Sequence, residues 1–186
     1  QQRPRDEYQM IWNYSQGMEV IMFGQVILIH AYSNLRPLKL LGEEIFNVNL
    51  ALDSWTLEVS DKNIYLLDKV EKTLYFISSK GEFKNNVQLS NIPQKIVAGK
   101  NGAIAVYYRT EVGVEGTVFF SSEGKQIADL NFPKVSITKV MVNDQNQFTV
   151  HGVYRMAPSL TSNMYHYSSE GNLIYSSEIK DAIVID

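Results

Sequence analysis

The sequence predicts an all-β chain: a β-propeller of four-stranded antiparallel blades, with about four blades present as part of a larger ring. Three observations predict it. A strand-and-turn pattern recurs as Leu74-Tyr75-Phe76-Ile77-Ser78-Ser79-Lys80-Gly81, Val118-Phe119-Phe120-Ser121-Ser122-Glu123-Gly124 and Met164-Tyr165-His166-Tyr167-Ser168-Ser169-Glu170-Gly171, with a weaker copy at Pro37-Leu38-Lys39-Leu40-Leu41-Gly42. The closing glycines fall at 42, 81, 124 and 171, at intervals of 39, 43 and 47 residues, against about 40 to 50 for a propeller blade. A second series of turns, rich in Gly, Asn and Asp, precedes each copy: Phe23-Gly24-Gln25, Ser60-Asp61-Lys62-Asn63, Gly99-Lys100-Asn101-Gly102 and Asn143-Asp144-Gln145-Asn146. No stretch of a dozen residues keeps apolar positions at helical spacing.

Each blade is expected to run outward from the axis as strands a to d. The apolar third strand is buried on both faces, Gly supplies the positive φ of the following hairpin turn, and a more polar strand returns along the outer edge. Residues 1–16 form an N-terminal segment with one lone strand at 8–12. Blade one (17–50) has strands at 18–23, 26–32, 36–41 and 44–50; blade two (51–91) at 54–60, 63–68, 73–78 and 83–89. Blade three (92–133) has strands at 94–98, 103–109, 116–121 and 126–131; blade four (134–180) at 136–142, 147–154, 163–168 and 173–178. Residues 182–185 read as the first strand of a further blade. An open row of blades exposes apolar sheet faces, which favours further blades from elsewhere in a longer chain, from a second chain or by self-association. A closed ring of four or five blades is the alternative.

Composition narrows the function classes. Of 186 residues, 45% are hydrophobic and 20% charged, the balance of a globular domain. Seventeen basic against 20 acidic residues leave a net charge of −3 and no basic stripe, so no nucleic-acid partner is expected. The absence of cysteine excludes disulfides, zinc–thiolate centres and thiol nucleophiles. The apolar stretch at 17–32 is interrupted by Glu19, Gly24, Gln25 and His30, so direct membrane insertion by this segment is not expected. The polar opening Gln1-Gln2-Arg3-Pro4-Arg5-Asp6-Glu7 carries no signal pattern and reads as a processing boundary.

The repeats are similar to bacterial propellers of the pyrroloquinoline-quinone-like and WD40-like classes. More narrowly, the chain resembles the Gram-positive cell-envelope family known as domain of unknown function 5711. The resemblance covers about residues 17 to 186 and rests on Gly42-Glu43-Glu44-Ile45-Phe46, which follows Val26-Ile27-Leu28-Ile29-His30, and on Asn63-Ile64-Tyr65-Leu66-Leu67-Asp68-Lys69. It implies an extracytoplasmic propeller anchored by an N-terminal transmembrane helix that lies outside this sequence. The tryptophan usual in quinone-type repeats is absent from three of four matching positions and is Phe46 in the other. No quinone cofactor, and no accompanying calcium, is therefore implied.

Candidate chemistry is sparse. His30, His151 and His166 are each assigned to a strand of a different blade, and no pair has metal-ligand spacing. The Ser-Ser-Glu-Gly turns lack the Gly-x-Ser-x-Gly pattern of a nucleophile elbow, and their serines suit turn capping. Asp61, Asp144 and Asp181 read as turn residues and form no calcium loop; a carboxylate pair assembled from different blades remains open. The strongest signal is Tyr108-Arg109 and Tyr154-Arg155, 46 residues apart, each ending a second strand before a long loop. With Glu111 and Met156 they are the candidate interaction residues, set against a packing role for Arg on Tyr. They belong to the end of the blades built by residues 50–54, 91–94, 110–116, 133–136 and 156–163. The expected function is a non-catalytic binding or scaffold propeller of the cell envelope with a protein or envelope-component partner. The alternative is a propeller hydrolase or lyase whose site, at the central channel, draws on Glu19, Glu58, Lys95 and Lys139. A third reading is structural support alone.

Overall fold

Residues 18–31, 34–45, 48–49, 55–154 and 161–180 are described in the computed structural model. Every regular element among them is a strand. Blade one holds β1 (Met18–Phe23), β2 (Val26–Ala31), β3 (Asn34–Lys39) and β4 (Val48–Asn49). Blade two holds β5 (Trp55–Val59), β6 (Asn63–Asp68), β7 (Thr73–Ser78) and β8 (Phe83–Gln88). Blade three holds β9 (Ile92–Ala98), β10 (Ile104–Arg109), β11 (Glu115–Phe120) and β12 (Gln126–Phe132). Blade four holds β13 (Val135–Val142), β14 (Phe148–Tyr154), β15 (Thr161–Tyr167) and β16 (Leu173–Lys180). Each blade is an antiparallel meander whose strand order follows the chain.

Burial follows the predicted gradient. β6 and β11 are buried at every position, because both faces of a middle strand meet a neighbouring blade. The outer strand β8, by contrast, is mostly exposed. Successive blades share separate cores. Val26 and Leu28 meet Ile64 and Ile77 between blades one and two. Tyr65, Leu67, Leu74 and Phe76 meet Ile104, Val106, Tyr108 and Phe120 between blades two and three. Ala105 and Phe119 meet Phe148, Val150 and Tyr167 between blades three and four. Each large apolar side chain moved from water into such a core contributes about 1.5–3 kcal/mol.

At one end of the blades, the a–b and c–d turns stitch the sheets together; this end is termed the turn rim. The Gln25 amide donates to the Ser79 carbonyl at 2.9 Å, and the Asp61 amide to the Lys100 carbonyl at 3.2 Å. The buried Asn63 amide group donates to the Ser122 carbonyl at 2.8 Å and to the Tyr65 hydroxyl at 3.1 Å. Tyr65 in turn donates to the Gly102 carbonyl of blade three. The c–d glycines Gly81, Gly124 and Gly171 have φ of 83°, 81° and 84°, and each backs onto the preceding blade: Gly124, for instance, lies against the Phe76 ring. The recurrent glycine is thus both a hairpin and an inter-blade requirement.

Three expectations need correction. In the outer strand of blade one, expected at 44–50, residues 44–45 carry an isolated bridge from Leu38 to Glu44 in place of a strand; Val48–Asn49 is a strand, and 46, 47 and 50 lie outside the described residues. Local bonds hold the chain in a tight turn there: Lys39 N–H to the Glu43 carbonyl at 2.7 Å, Ile45 N–H to the Pro37 carbonyl at 2.8 Å, and Lys39–Glu43 and Arg36–Glu44 ion pairs. His151 and His166 do not belong to different blades; both lie in blade four, on β14 and β15. Finally, Tyr108 and Tyr154 are not equivalent. Counting back from the matched turn serines Ser121 and Ser168 through the unbroken b–c ladders, Tyr108 corresponds to Gly152.

Tyr65→Phe removes the hydroxyl that reaches the Gly102 carbonyl, and is expected to cost about 1–2 kcal/mol in urea unfolding. A change within about 0.3 kcal/mol of zero would show that this inter-blade bond does not stabilise the fold.

Candidate functional site

The end opposite the turn rim, where b–c loops and d–a connections emerge, carries the sequence-derived candidates. Tyr108 is buried, with 2% exposure. Its ring lies across Gly116, its ladder partner; a Cβ on Gly116 would collide with the ring and hydroxyl. The hydroxyl reaches over to the outer strand, donating to Asp129 at 2.6 Å with Asn131 at 2.9 Å. Burial, then the Asp129 carboxylate, push the phenol well above its ordinary pKa. Tyr108 therefore packs into its own blade and the core between blades two and three, and offers no surface to a partner.

Arg109 is exposed but bound to Glu115 at 3.2 Å. Glu115 is buried, and its other carboxylate oxygen accepts the Ile137 amide of blade four at 2.6 Å. Burial, then the Glu115 carboxylate, raise the neighbouring Tyr107 phenol above its ordinary pKa. The pair thus joins blade three to the inner strand of blade four. Glu115 was expected in a loop; it opens β11 instead, because its charge is neutralised inside the fold. Tyr154 ends β14 half-buried, packed against the core between blades three and four. Arg155 and Met156 lie outside the described residues.

Two loops of this rim, among the described residues, are closed by their own hydrogen bonds. In blade two, Asp68 accepts the Val70 and Glu71 amides at 2.9 Å each, and Gln88 donates to the Glu71 carbonyl at 2.6 Å. In blade three, the Thr110 hydroxyl accepts the Val114 amide at 2.9 Å, and Gly113 closes the turn at φ 79°. Both loops hold an exposed valine at the tip, Val70 at 68% and Val112 at 86%. Between them, Lys72, Asn91, Ile92, Glu111 and Val112 line a recess of about 250 Å³.

A larger cleft, of about 760 Å³, runs along the inner strands of blades two to four. Glu58 of β5, Gln94, Lys95 and Val97 of β9 and the β13 stretch from Ile137 to Asn143 line it. Three of the four titratable residues assigned to the inner strands, Glu58, Lys95 and Lys139, are brought together here; the side chain of Glu19 lies outside the described residues. Burial raises the Glu58 carboxyl above its ordinary pKa, with Lys95 opposing. Burial lowers His151, which faces Lys139 across the ladder, and the Lys139 charge adds to that. Among the described residues Glu58 is the one carboxylate in the lining, so no pair of the glycosidase kind is brought together by them. Among the described residues no group of three or more His, Asp or Glu is placed to hold a metal ion, and no helix is long and apolar enough to cross a membrane.

Solved structures share this arrangement at low identity. The WD40 domain of Toxoplasma gondii coronin matches with a TM-score of 0.53 at 12% identity, over 87% of this chain and 46% of that one. The Dos1 propeller matches at 0.53 and 13%, over 83% of this chain and 45% of that one. KlHsv2, with its loop 6CD replaced by a Gly-Ser linker, matches at 0.51 and 8%, over 89% and 73%. The fold is that of β-propeller blades. The chain spans a little under half of the coronin and Dos1 structures. No family model and no curated protein matches it, so the shared fold is what the likeness establishes.

Glu115→Ala leaves the Ile137 amide without its acceptor and Arg109 without its carboxylate, and should cost about 2–3 kcal/mol in chemical denaturation. Arg109→Ala, at the exposed end of the pair, should cost clearly less than Glu115→Ala, because solvent screens the guanidinium. Equal losses would contradict the assignment of Glu115 as the inter-blade link. For Glu58 the folded state holds the proton more tightly than the unfolded one, so ionisation destabilises the fold as pH rises above the ordinary glutamate range. Glu58→Gln is expected to raise the melting temperature at pH 7 and to leave it unchanged near pH 3.5, where both states are protonated. A lower melting temperature at pH 7 would mean that Lys95 outweighs burial.

Proposed function

We propose that this chain is a non-catalytic binding or scaffold propeller that engages a protein or envelope component through its loop rim. The observation that carries the reading is the pair of stiff loops holding Val70 and Val112 exposed beside the recess at Lys72, Asn91 and Glu111. Loops ordered before binding lose little entropy on capture, and exposed apolar side chains ringed by charge suit a partner that covers them. An extracytoplasmic placement with an N-terminal membrane anchor is part of this proposal and rests on the resemblance of residues 42–46 and 63–69 to the envelope family alone. The expected interaction residues shift accordingly from Tyr108, which is buried, to Val70, Glu111 and Val112, with Arg109 at the edge of the same face.

A photo-crosslinking amino acid introduced at Val70 or Val112 in cells should yield a discrete adduct with one partner. The same probe at Leu41, which is 92% exposed at the turn rim, serves as the rival. Adducts from Leu41 with none from Val70 or Val112 would place the binding face at the opposite end.

A further inference from the structure

The two ends of the row of blades expose apolar side chains at positions that inner blades bury. The a–b ladders place Val20 opposite Ile29, Ile96 opposite Val106 and Val140 opposite Val150, three equivalent pairs by the register from the c–d turns. Ile96 and Val140 are buried in the cores shared with the preceding blade, whereas Val20 is 48% exposed. At the other end the outer strands are decisive. In blades two, three and four each carries one bulged residue just after its turn: Lys84, Ile127 and Ile174. The following blade's c–d turn seats beside this bulge. A Cβ on Gly171 would lie 2.9 Å from Ile127 and 3.0 Å from Ala128, and one on Gly124 would lie 3.1 Å from Asn85, so the seat fits a glycine turn closely. In blade four the same seat is Ile174 and Tyr175, 51% and 47% exposed.

A turn of the required kind is present on the same chain. Gly42 closes the c–d turn of blade one at φ 88°, its amide donating to the Lys39 carbonyl at 2.8 Å, as Gly81, Gly124 and Gly171 donate to Ser78, Ser121 and Ser168. The residues before the glycine differ. The three later turns read Ser79-Lys80, Ser122-Glu123 and Ser169-Glu170, but this one reads Leu40-Leu41, 39% and 92% exposed. The seat on blade four differs in the same sense: Ile174 and Tyr175 stand where blade two has Lys84 and Asn85. An apolar turn at one end of a chain and an apolar seat at the other are the two halves of one head-to-tail contact. We propose that two copies of this chain associate head to tail, the Leu40-Leu41-Gly42 turn of each seated on Ile174 and Tyr175 of the other. Two copies of four blades make a ring of eight, within the range of about four to eight blades. Four blades turn through half of such a ring, so two equal contacts close it and cover the apolar groups at both ends. The contact repeats the blade-to-blade packing already made three times within the chain. It leaves Val70 and Val112, at the opposite rim, uncovered.

Sedimentation velocity of the 186-residue chain over a concentration series tests this. The wild type should reach twice the mass of one chain, with no larger species as concentration rises. L41K and I174K introduce the residue type that the equivalent positions carry as Lys80 and Lys84, so the blades should keep their far-UV circular dichroism. L41E, matching Glu123, is a second turn variant. Each should raise the dimer dissociation constant at least tenfold. An equimolar mixture of L41K and I174K should recover a dimer that neither forms alone, because the turn of one and the seat of the other are intact. V112K, at the loop rim, should leave the mass unchanged. In the crosslinking experiment above, a probe at Leu41 should give an adduct of this chain with itself, distinct in mass from one with a partner. A monomer at every concentration would overturn the proposal and leave these faces to further blades of a longer chain or to another protein. Loss of the dimer in I174K but not in the Leu41 variants would overturn it in favour of a symmetric pairing of outer strands. Species growing beyond two copies would also overturn it, since the ring would not close.

Discussion

The burial of the middle strands on both faces is the constraint on which the rest of the structure depends. Phe119 and Phe120 are neighbours in one strand, yet they serve different cores. Phe119 stacks on Phe148 of blade four with ring centroids 4.0 Å apart, while Phe120 meets Phe76 of blade two at 6.1 Å. Side chains alternate across a strand, so a blade can only satisfy both faces by sitting between two others. The four sheets form a fan for that reason, and the turn-rim hydrogen bonds from Gln25, Asp61, Asn63 and Tyr65 fix the spacing between successive vanes.

This construction divides the surface by function. The turn rim is consumed by blade-to-blade bonds. At the loop rim, the b–c loops described in blades two and three close on themselves through Asp68 and Thr110. The inner strands face the axis along one edge only, where a bulge changes what a strand offers without disturbing the cores behind it. A buried ion pair also belongs to this division: Glu115 ties the inner strand of blade four to blade three and holds Arg109 at its side. Such a separation suits the proposed binding role, since stabilising contacts at one end do not compete for residues with the loops at the other.

Much of the fold was legible because its strongest physical demand writes itself into sequence. Residues 63–68 and 73–78 fall where expected, since a strand buried on two faces must be a continuous apolar run and its turn must carry Gly81. Less was legible at the site. Tyr108 and Tyr154 look alike in sequence, but the two bulges at Gln94 and Thr138 sit in inner strands whose pattern does not betray an extra residue; only Pro93, which lacks an N–H, hints at one. Glu115 reads as a loop residue because a lone acid beside two glycines gives no sign of the amide and guanidinium that meet it. The start of the outer strand of blade one, expected at Glu44, was less legible: Glu44 pairs with Arg36 just after the Lys39–Glu43 turn and makes an isolated bridge there. Lys95 and Lys139 were assigned to inner strands correctly; their equivalence appears only in the register.

The radial stacking of the blades is most directly tested by aromatic NOEs in a sample labelled at phenylalanine and tyrosine. The Phe119 ring should show cross-peaks to Phe148 and Tyr167, and the Phe120 ring to Phe76, with no exchange of partners between them. If both rings contact the same sheet, or one of them faces water, the blades do not stand as a fan and the account fails.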